Sequence, residues 1–356
     1  MQPAPGEGRL EVIDLLRGVA IVEMLAAHYE GYFPVPMRRV IDYTETAMPL
    51  FVLLAGFMVG WGHSRFERDP RGQTAVVWKR ALRVLIVQYI MILTLGVPLF
   101  LLGKPGVGDG QTLGTFIFQS VFFLNQIGLL HILPTFIPLF LAAPVILYAL
   151  SRGWDRALLF SSATLFAVGH FHPHLLDLGQ PTIFPFILFQ LYFVVGCKMG
   201  KMMKLRDTVA EPRPRIWALA SLSILAISQL IAHSKVLPPH VISTHPLNFF
   251  GLLYQVPLLA TLWFGSISQL PTLKRLWGYG AVCRFGRHPL LSFVIHVYLA
   301  TILAVINYLV PLISWGNYAL IFLSVLAMDA IVKRYERVRR EIAPPMWART
   351  AEWLFK

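Results

Sequence analysis

Ten apolar runs, each long enough to cross a lipid bilayer, constrain this chain more than any other feature. A span needs about 20 predominantly apolar residues. Runs of that quality cover 12–30, 46–63, 81–102, 132–150, 157–172, 182–200, 215–234, 249–269, 288–309 and 311–332. In hydrocarbon every backbone N–H and C=O must find a partner within the protein, and a helix achieves this inside one segment. Charged residues make up only 14% of the chain, against about a quarter in a soluble domain. The expected fold is therefore all-α and polytopic, a single integral-membrane domain over residues 1–356. A further apolar segment, 113–130, is interrupted by Gln119, Asn125, Gln126 and Gly128. It reads as a re-entrant or outer-surface helix, since irregular backbone at membrane depth is tolerated only where protein or a watery cavity covers it.

Charge orients the spans. With the N-terminus inside, 26 of the 31 Lys and Arg fall on inner segments and four (Arg38, Arg39, Lys104 and Lys235) on outer loops. The remaining one, Arg17, lies within the first run. Basic residues accumulate on cytoplasmic loops, so both termini are expected in the cytoplasm. The net charge of +13 then reflects topology, and no nucleic-acid partner is expected. Cys197 and Cys283 are too few and too far apart for a disulfide framework or a Cys-x-x-Cys site.

The first run, RLEVIDLLRGVAIVEMLAAHYEG from Arg9 to Gly31, carries Asp14, Arg17, Glu23 and His28. Ionisable groups inside a membrane are costly, about 2.5–3.5 kcal/mol for a central charge on insertion scales, and usually line a functional cavity. At helical pitch the eleven residues from Arg17 to His28 leave them about 20° apart around the axis and about 16 Å apart along it. Asp14 lies one turn inward on nearly the same side. The three form a polar stripe, and Gly18 beside Arg17 allows close approach of another helix or a ligand. A neutral imidazole is a natural general base for a hydroxyl group. Glu23, about 140° from His28 around the axis, receives no role.

This R-x10-H pattern resembles the acyltransferase-three superfamily of membrane O-acyltransferases. AMPLFVLLAGFMVG (47–60) is similar to that superfamily's second span, with Ala55 in place of a serine, and WKRALRVL (78–85) carries its R-x-x-R at Arg80 and Arg83. LLHILPTFIPLFLAAPVIL (129–147) and FGRHPLLSFVIHVYL (285–299) resemble the OpgC-type glucan succinyltransferases, a branch whose pattern implies an acidic residue where His131 stands. The resemblance implies catalytic roles for Arg17 and His28, with Asp14 orienting the arginine. It implies acyl-CoA, succinyl-CoA or acetyl-CoA, as donor substrate and no permanently bound cofactor. The acceptor would be a hydroxyl of a periplasmic or cell-envelope glycan, and the location the bacterial inner membrane. N-acetyl transfer to amino sugars, as in the heparan acetyltransferases, fits IDLLRG (13–18) equally well, and a secondary transporter is a further alternative.

Arg80 and Arg83 lie one turn apart at the cytoplasmic start of the third run, suited to the phosphates of coenzyme A. His131 and His296 are candidate acceptor-binding residues. HFHPHLLD (170–177) has the spacing of a weak metal motif, but no second ligand cluster accompanies it, and no metal is expected. GKPGVGDG (103–110) places its lysine first and lacks the hydroxyl residue of a phosphate loop.

Overall fold

A computed structural model describes residues 7–29, 47–103, 107–108, 110–124, 130, 132–171, 186–205, 215–216, 218–224, 249–309 and 314–339. His131 and most of the 170–177 and 215–234 stretches lie outside the described residues. Among the described residues the chain is all-helical. Four helices among the described residues are long and apolar enough to cross a membrane by length and composition: Pro70–Leu101, Ile132–Ser151, Pro289–Ile306 and Gly316–Arg339. The molecule is a membrane protein, and it divides into two compact units, Val52–Asp207 and Met1–Phe51 with Thr208–Lys356.

In this description α1 is Glu7–Ala27, α2 Ala47–Trp61, α3 His63–Arg68, α4 Pro70–Met91, α5 Val97–Leu101 and α6 Leu113–Val121. They are followed by α7 Ile132–Ser151, α8 Asp155–Phe171, α9 Phe186–Leu205, α10 Phe249–Leu273, α11 Tyr279–Arg287, α12 Pro289–Leu309 and α13 Ser314–Arg339.

Within Val52–Asp207, α2 and α9 run parallel and meet through glycines. A Cβ built on Gly56 would overlap the Phe193 carbonyl, and one on Gly60 the Cys197 carbonyl. In return, Gly196 faces the Leu53 carbonyl and Gly200 that of Phe57. Each helix thus contributes a G-x-x-x-G, Gly56/Gly60 and Gly196/Gly200. Small residues at this spacing let backbones touch where lipid supplies no hydrophobic drive between helices. α9 also packs on α8 and α7. There Gln190 Nε2 donates to the Ser162 carbonyl at 2.6 Å, and Lys201 Nζ to that of Leu150 at 2.6 Å.

The helix carrying Arg80 and Arg83 starts well before residue 81, where the apolar run begins. Asp69 caps it, accepting from the Gly72 N–H at 2.9 Å, and Pro70 occupies the first turn, where a missing N–H costs nothing. The two arginines therefore stand inside a formed helix, with a lipid-length run beyond them. Between α4 and α5 the backbone widens into a π-helical turn, Ile92–Gly96. Pro98, in the first turn of α5, can neither donate to residue 94 nor sit against its carbonyl. The Val97 N–H reaches the Ile92 carbonyl instead. α6, in the segment expected to be re-entrant or superficial, has 9 residues and at 1.5 Å per residue is too short to cross hydrocarbon.

Replacing Gly60 by valine should lower stability by about 1–3 kcal/mol, because the Cys197 backbone cannot yield as a side chain can. Gly114, where an added methyl group would meet nothing within 4 Å, should accept alanine with unchanged or slightly higher stability. Thermal unfolding in detergent distinguishes the two, and equal midpoints would remove the close α2–α9 contact from the fold.

Candidate active site

α1 is enclosed by its own unit. It packs against α11, α12, α10 and α13, and Val12, Ile13, Leu15, Leu16, Ala20, Ile21, Met24 and Leu25 are buried. Apolar residues buried on all sides mark an enclosed helix, and Asp14, Arg17, Glu23 and His28 are half-buried among them. Gly18 abuts the Val282 backbone of α11, and Gly286 of α11 abuts the Asp14 backbone. One turn up α1 is one turn down α11, so the two helices cross antiparallel with their backbones touching.

This crossing builds the first station of the polar stripe. Arg287 follows Gly286 directly, and its Nε lies 3.9 Å from Asp14 Oδ2. Arg17 also acts on the Asp14 carboxylate, which thus sits in the field of two guanidiniums. The other end of Arg287 lies 3.8 Å from Glu336 on α13, which shares a hydrogen bond with His288 Nε2 at 3.1 Å. Next to it, Arg284 donates through Nε and Nη2 to Asp329 Oδ1 at 2.9 and 2.6 Å, and Lys333 meets Asp329 Oδ2 at 2.7 Å. One turn below Asp14, Glu11 holds Lys274 at 2.6 Å and the Tyr279 hydroxyl at 2.9 Å.

The second station lies at the far end of α1. The α-helix ends at Ala27, three residues short of the expected span, but the His28 N–H still reaches the Met24 carbonyl at 3.1 Å. Helical phase is therefore kept, and the eleven-residue relation to Arg17 holds. The half-buried His28 ring stacks on His296 of α12, centroids 5.4 Å apart and planes within 6°. Phe293 closes the other side of His296, edge-on at 4.8 Å. Asp14, Arg17, His28 and His296 thus belong to one packed unit, at two stations along one helix. Arg80 and Arg83 belong to the other unit, where the two cations lie close enough on α4 to feel each other's charge. Glu23 is half-buried and gains no role.

Sequence reasoning misses Arg287, Glu336 and the Arg284–Asp329 pair. Arg287 is visible in FGRHP but falls among the topology charges. Its partners lie on α1 and α13, and only folding shows that proximity. Burial pushes the Cys283 thiol up, which leaves it a poor nucleophile. Among the described residues no group of three or more His, Cys, Asp or Glu could hold a metal ion.

Arg284→Ala should destabilise the protein by about 1–3 kcal/mol, because Asp329 is largely buried and would keep only Lys333. The double substitution Arg284→Met, Asp329→Leu should recover most of the loss, since it leaves no unpaired charge. Thermal midpoints of both variants in one detergent test this, and an equal loss in both would overturn it.

Among curated proteins and solved structures, none matches the chain. A family model described as OpgC protein matches residues 9–340. That match takes in the α1 stripe, the Arg80–Arg83 helix and the α11–α12 stretch that supplies Arg287 and His296. The chain belongs to the OpgC family.

Proposed function

We propose that this chain is a ten-span acyltransferase of the bacterial inner membrane, with both termini in the cytoplasm. It takes a succinyl or acetyl group from cytosolic acyl-CoA and places it on a hydroxyl of a periplasmic or envelope glucan. Membership of the OpgC family supports the reaction class. The single structural observation behind the site assignment is the arrangement of α1, where an enclosed helix keeps a carboxylate in the field of two arginines at one station and a stacked imidazole pair at the other.

His28 is the general base, taking the proton of the acceptor hydroxyl as its oxygen attacks the thioester carbonyl. The C–O bond forms, the C–S bond breaks, and coenzyme A leaves as the thiol once its sulfur is protonated. Arg17 stabilises the thioester, or the oxyanion formed on attack, where a fixed cation in a dry environment is worth far more than in water. Asp14 orients Arg17, and Arg287 shares that carboxylate. Arg80 and Arg83 hold the phosphates of coenzyme A, for which guanidinium forks are well shaped. His296 and His131 serve the acceptor.

The test is mass spectrometry of envelope glucans from cells carrying wild type or His28→Ala. Wild type should add an acyl mass, and His28→Ala should lower the transfer rate about 10²–10⁴-fold. No added mass from wild type would defeat the enzyme reading, whereas normal transfer by the variant would defeat only the base assignment. On the donor side, Arg80→Ala with Arg83→Ala should weaken acyl-CoA binding about tenfold or more without loss of folded protein. Unchanged affinity would return both arginines to topology.

A further inference from the structure

α12 carries a second polar residue beside the stacked imidazoles. Ser292 precedes His296 by one turn, so the two side chains share a helix face about 6 Å apart along the axis. Both are fully buried, at 0% exposure. The Ser292 backbone N–H is engaged by the His288 carbonyl at 2.9 Å, yet its hydroxyl takes no partner among the described residues. That is unusual, because a helical serine normally satisfies itself on the carbonyl one turn back, as Ser324 does on Leu320 and Ser120 on Phe116.

His296 repeats the pattern. Neither ring nitrogen makes a well-formed hydrogen bond among the described residues. The backbones of Ser292 and Phe293 act on the ring, but their carbonyls already serve the helix ladder. Three buried polar atoms therefore lie together with their hydrogen-bonding capacity unspent, next to the ring of His28. Buried polar groups in native proteins are nearly always paired, and each exception calls for an explanation. An apolar residue at either position would have avoided the desolvation penalty altogether.

We propose that Ser292 and His296 form the subsite that receives the acceptor hydroxyl, an inference that rests on the acyltransferase reading above. The pair offers what a sugar hydroxyl requires. Ser292 Oγ can donate or accept, and a neutral imidazole presents one donor and one acceptor. A sugar hydroxyl bound there meets His28 through the same stack that holds the two rings parallel. Ser292 is a positioning residue in this arrangement, since it fixes the hydroxyl and takes no part in bond making. A site built to hydrogen-bond a hydroxyl also rejects groups that lack one, because its polar atoms would stay unpaired. The subsite thus selects for hydroxyl-bearing acceptors.

The experiment compares wild type with Ser292→Ala and His296→Asn in detergent, following acyl transfer from succinyl-CoA to a purified β-glucan. Thermal midpoints are recorded with and without the glucan. For Ser292→Ala the expected result is an acceptor KM raised about tenfold, with donor KM unchanged and kcat within about threefold. Its midpoint without glucan should equal or exceed that of wild type, because the lost hydroxyl had no partner in the protein. The midpoint gain on adding glucan, present in wild type, should shrink in both variants. An unchanged acceptor KM would overturn the subsite while leaving the acyltransferase reading intact. A lowered midpoint in Ser292→Ala would also overturn it, by revealing a structural partner for the hydroxyl. If wild type transfers no acyl group, the reading fails, and the subsite stands or falls on whether glucan still stabilises wild type more than Ser292→Ala.

Discussion

The close backbone crossing of α1 and α11 is the contact on which the rest of the site depends. Between helices in lipid there is no hydrophobic drive, so association rests on close packing and on polar contacts. Gly18 against Val282 and Gly286 against Asp14 supply that packing at two successive turns. The second contact has a chemical consequence. Because Arg287 follows Gly286 in the chain, bringing Gly286 onto the Asp14 backbone also delivers a guanidinium to the Asp14 carboxylate. Any side chain at Gly286 would push the cation away from the helix that needs it.

Around this crossing, ion pairs join elements far apart in sequence. Glu11 on α1 meets Lys274 beyond α10 and Arg284 on α11 meets Asp329 on α13, and the His288–Glu336 hydrogen bond adds to them. Such pairs add little net stability once the desolvation of both partners is counted, but the loss of one partner is expensive. They discriminate strongly between one register of α1, α11 and α13 and its neighbours, since a shift by one turn would strand several charges together. Apolar packing alone would tolerate such a shift more easily. The contact between Arg287 and its two carboxylates is looser, at 3.8 and 3.9 Å, and the arginine is half exposed.

Much of this is legible in the chain because it is local. The all-helical membrane class follows from run length, and the stripe on α1 follows from the pitch of one helix applied to Asp14, Arg17 and His28. The value of Gly18 as a point of close approach is readable for the same reason. The Asp69–Pro70 start of the Arg80 helix is also local, but hydropathy is blind to it, since the added turns are polar. The missed features are those that need two distant segments at once. Sequence alone gives Asp14 only Arg17 as a neighbour, and Arg287 joins it because α11 crosses there. The π-helical turn ahead of Pro98 and the paired G-x-x-x-G of α2 and α9 have sequence signals. Their meaning depends on knowing what each residue packs against.

The two stations on α1 bear on how such an enzyme could divide its work. Donor and acceptor are expected on opposite sides of a membrane whose hydrocarbon is about 30 Å thick, so neither can bring its whole molecule to one point. In the proposed reaction Arg17 and His28, about 16 Å apart along one rigid helix, would let each substrate send only its reactive end inward. In that reaction the charged station, where Arg17 and Arg287 both act on Asp14, would suit an incoming anionic donor, whose long arm could carry the thioester further along the stripe. The imidazole station is uncharged when both rings are neutral, and it suits a hydroxyl that must lose a proton there. Placing both on a single helix fixes their separation by backbone geometry. No loop movement can then change the distance between them.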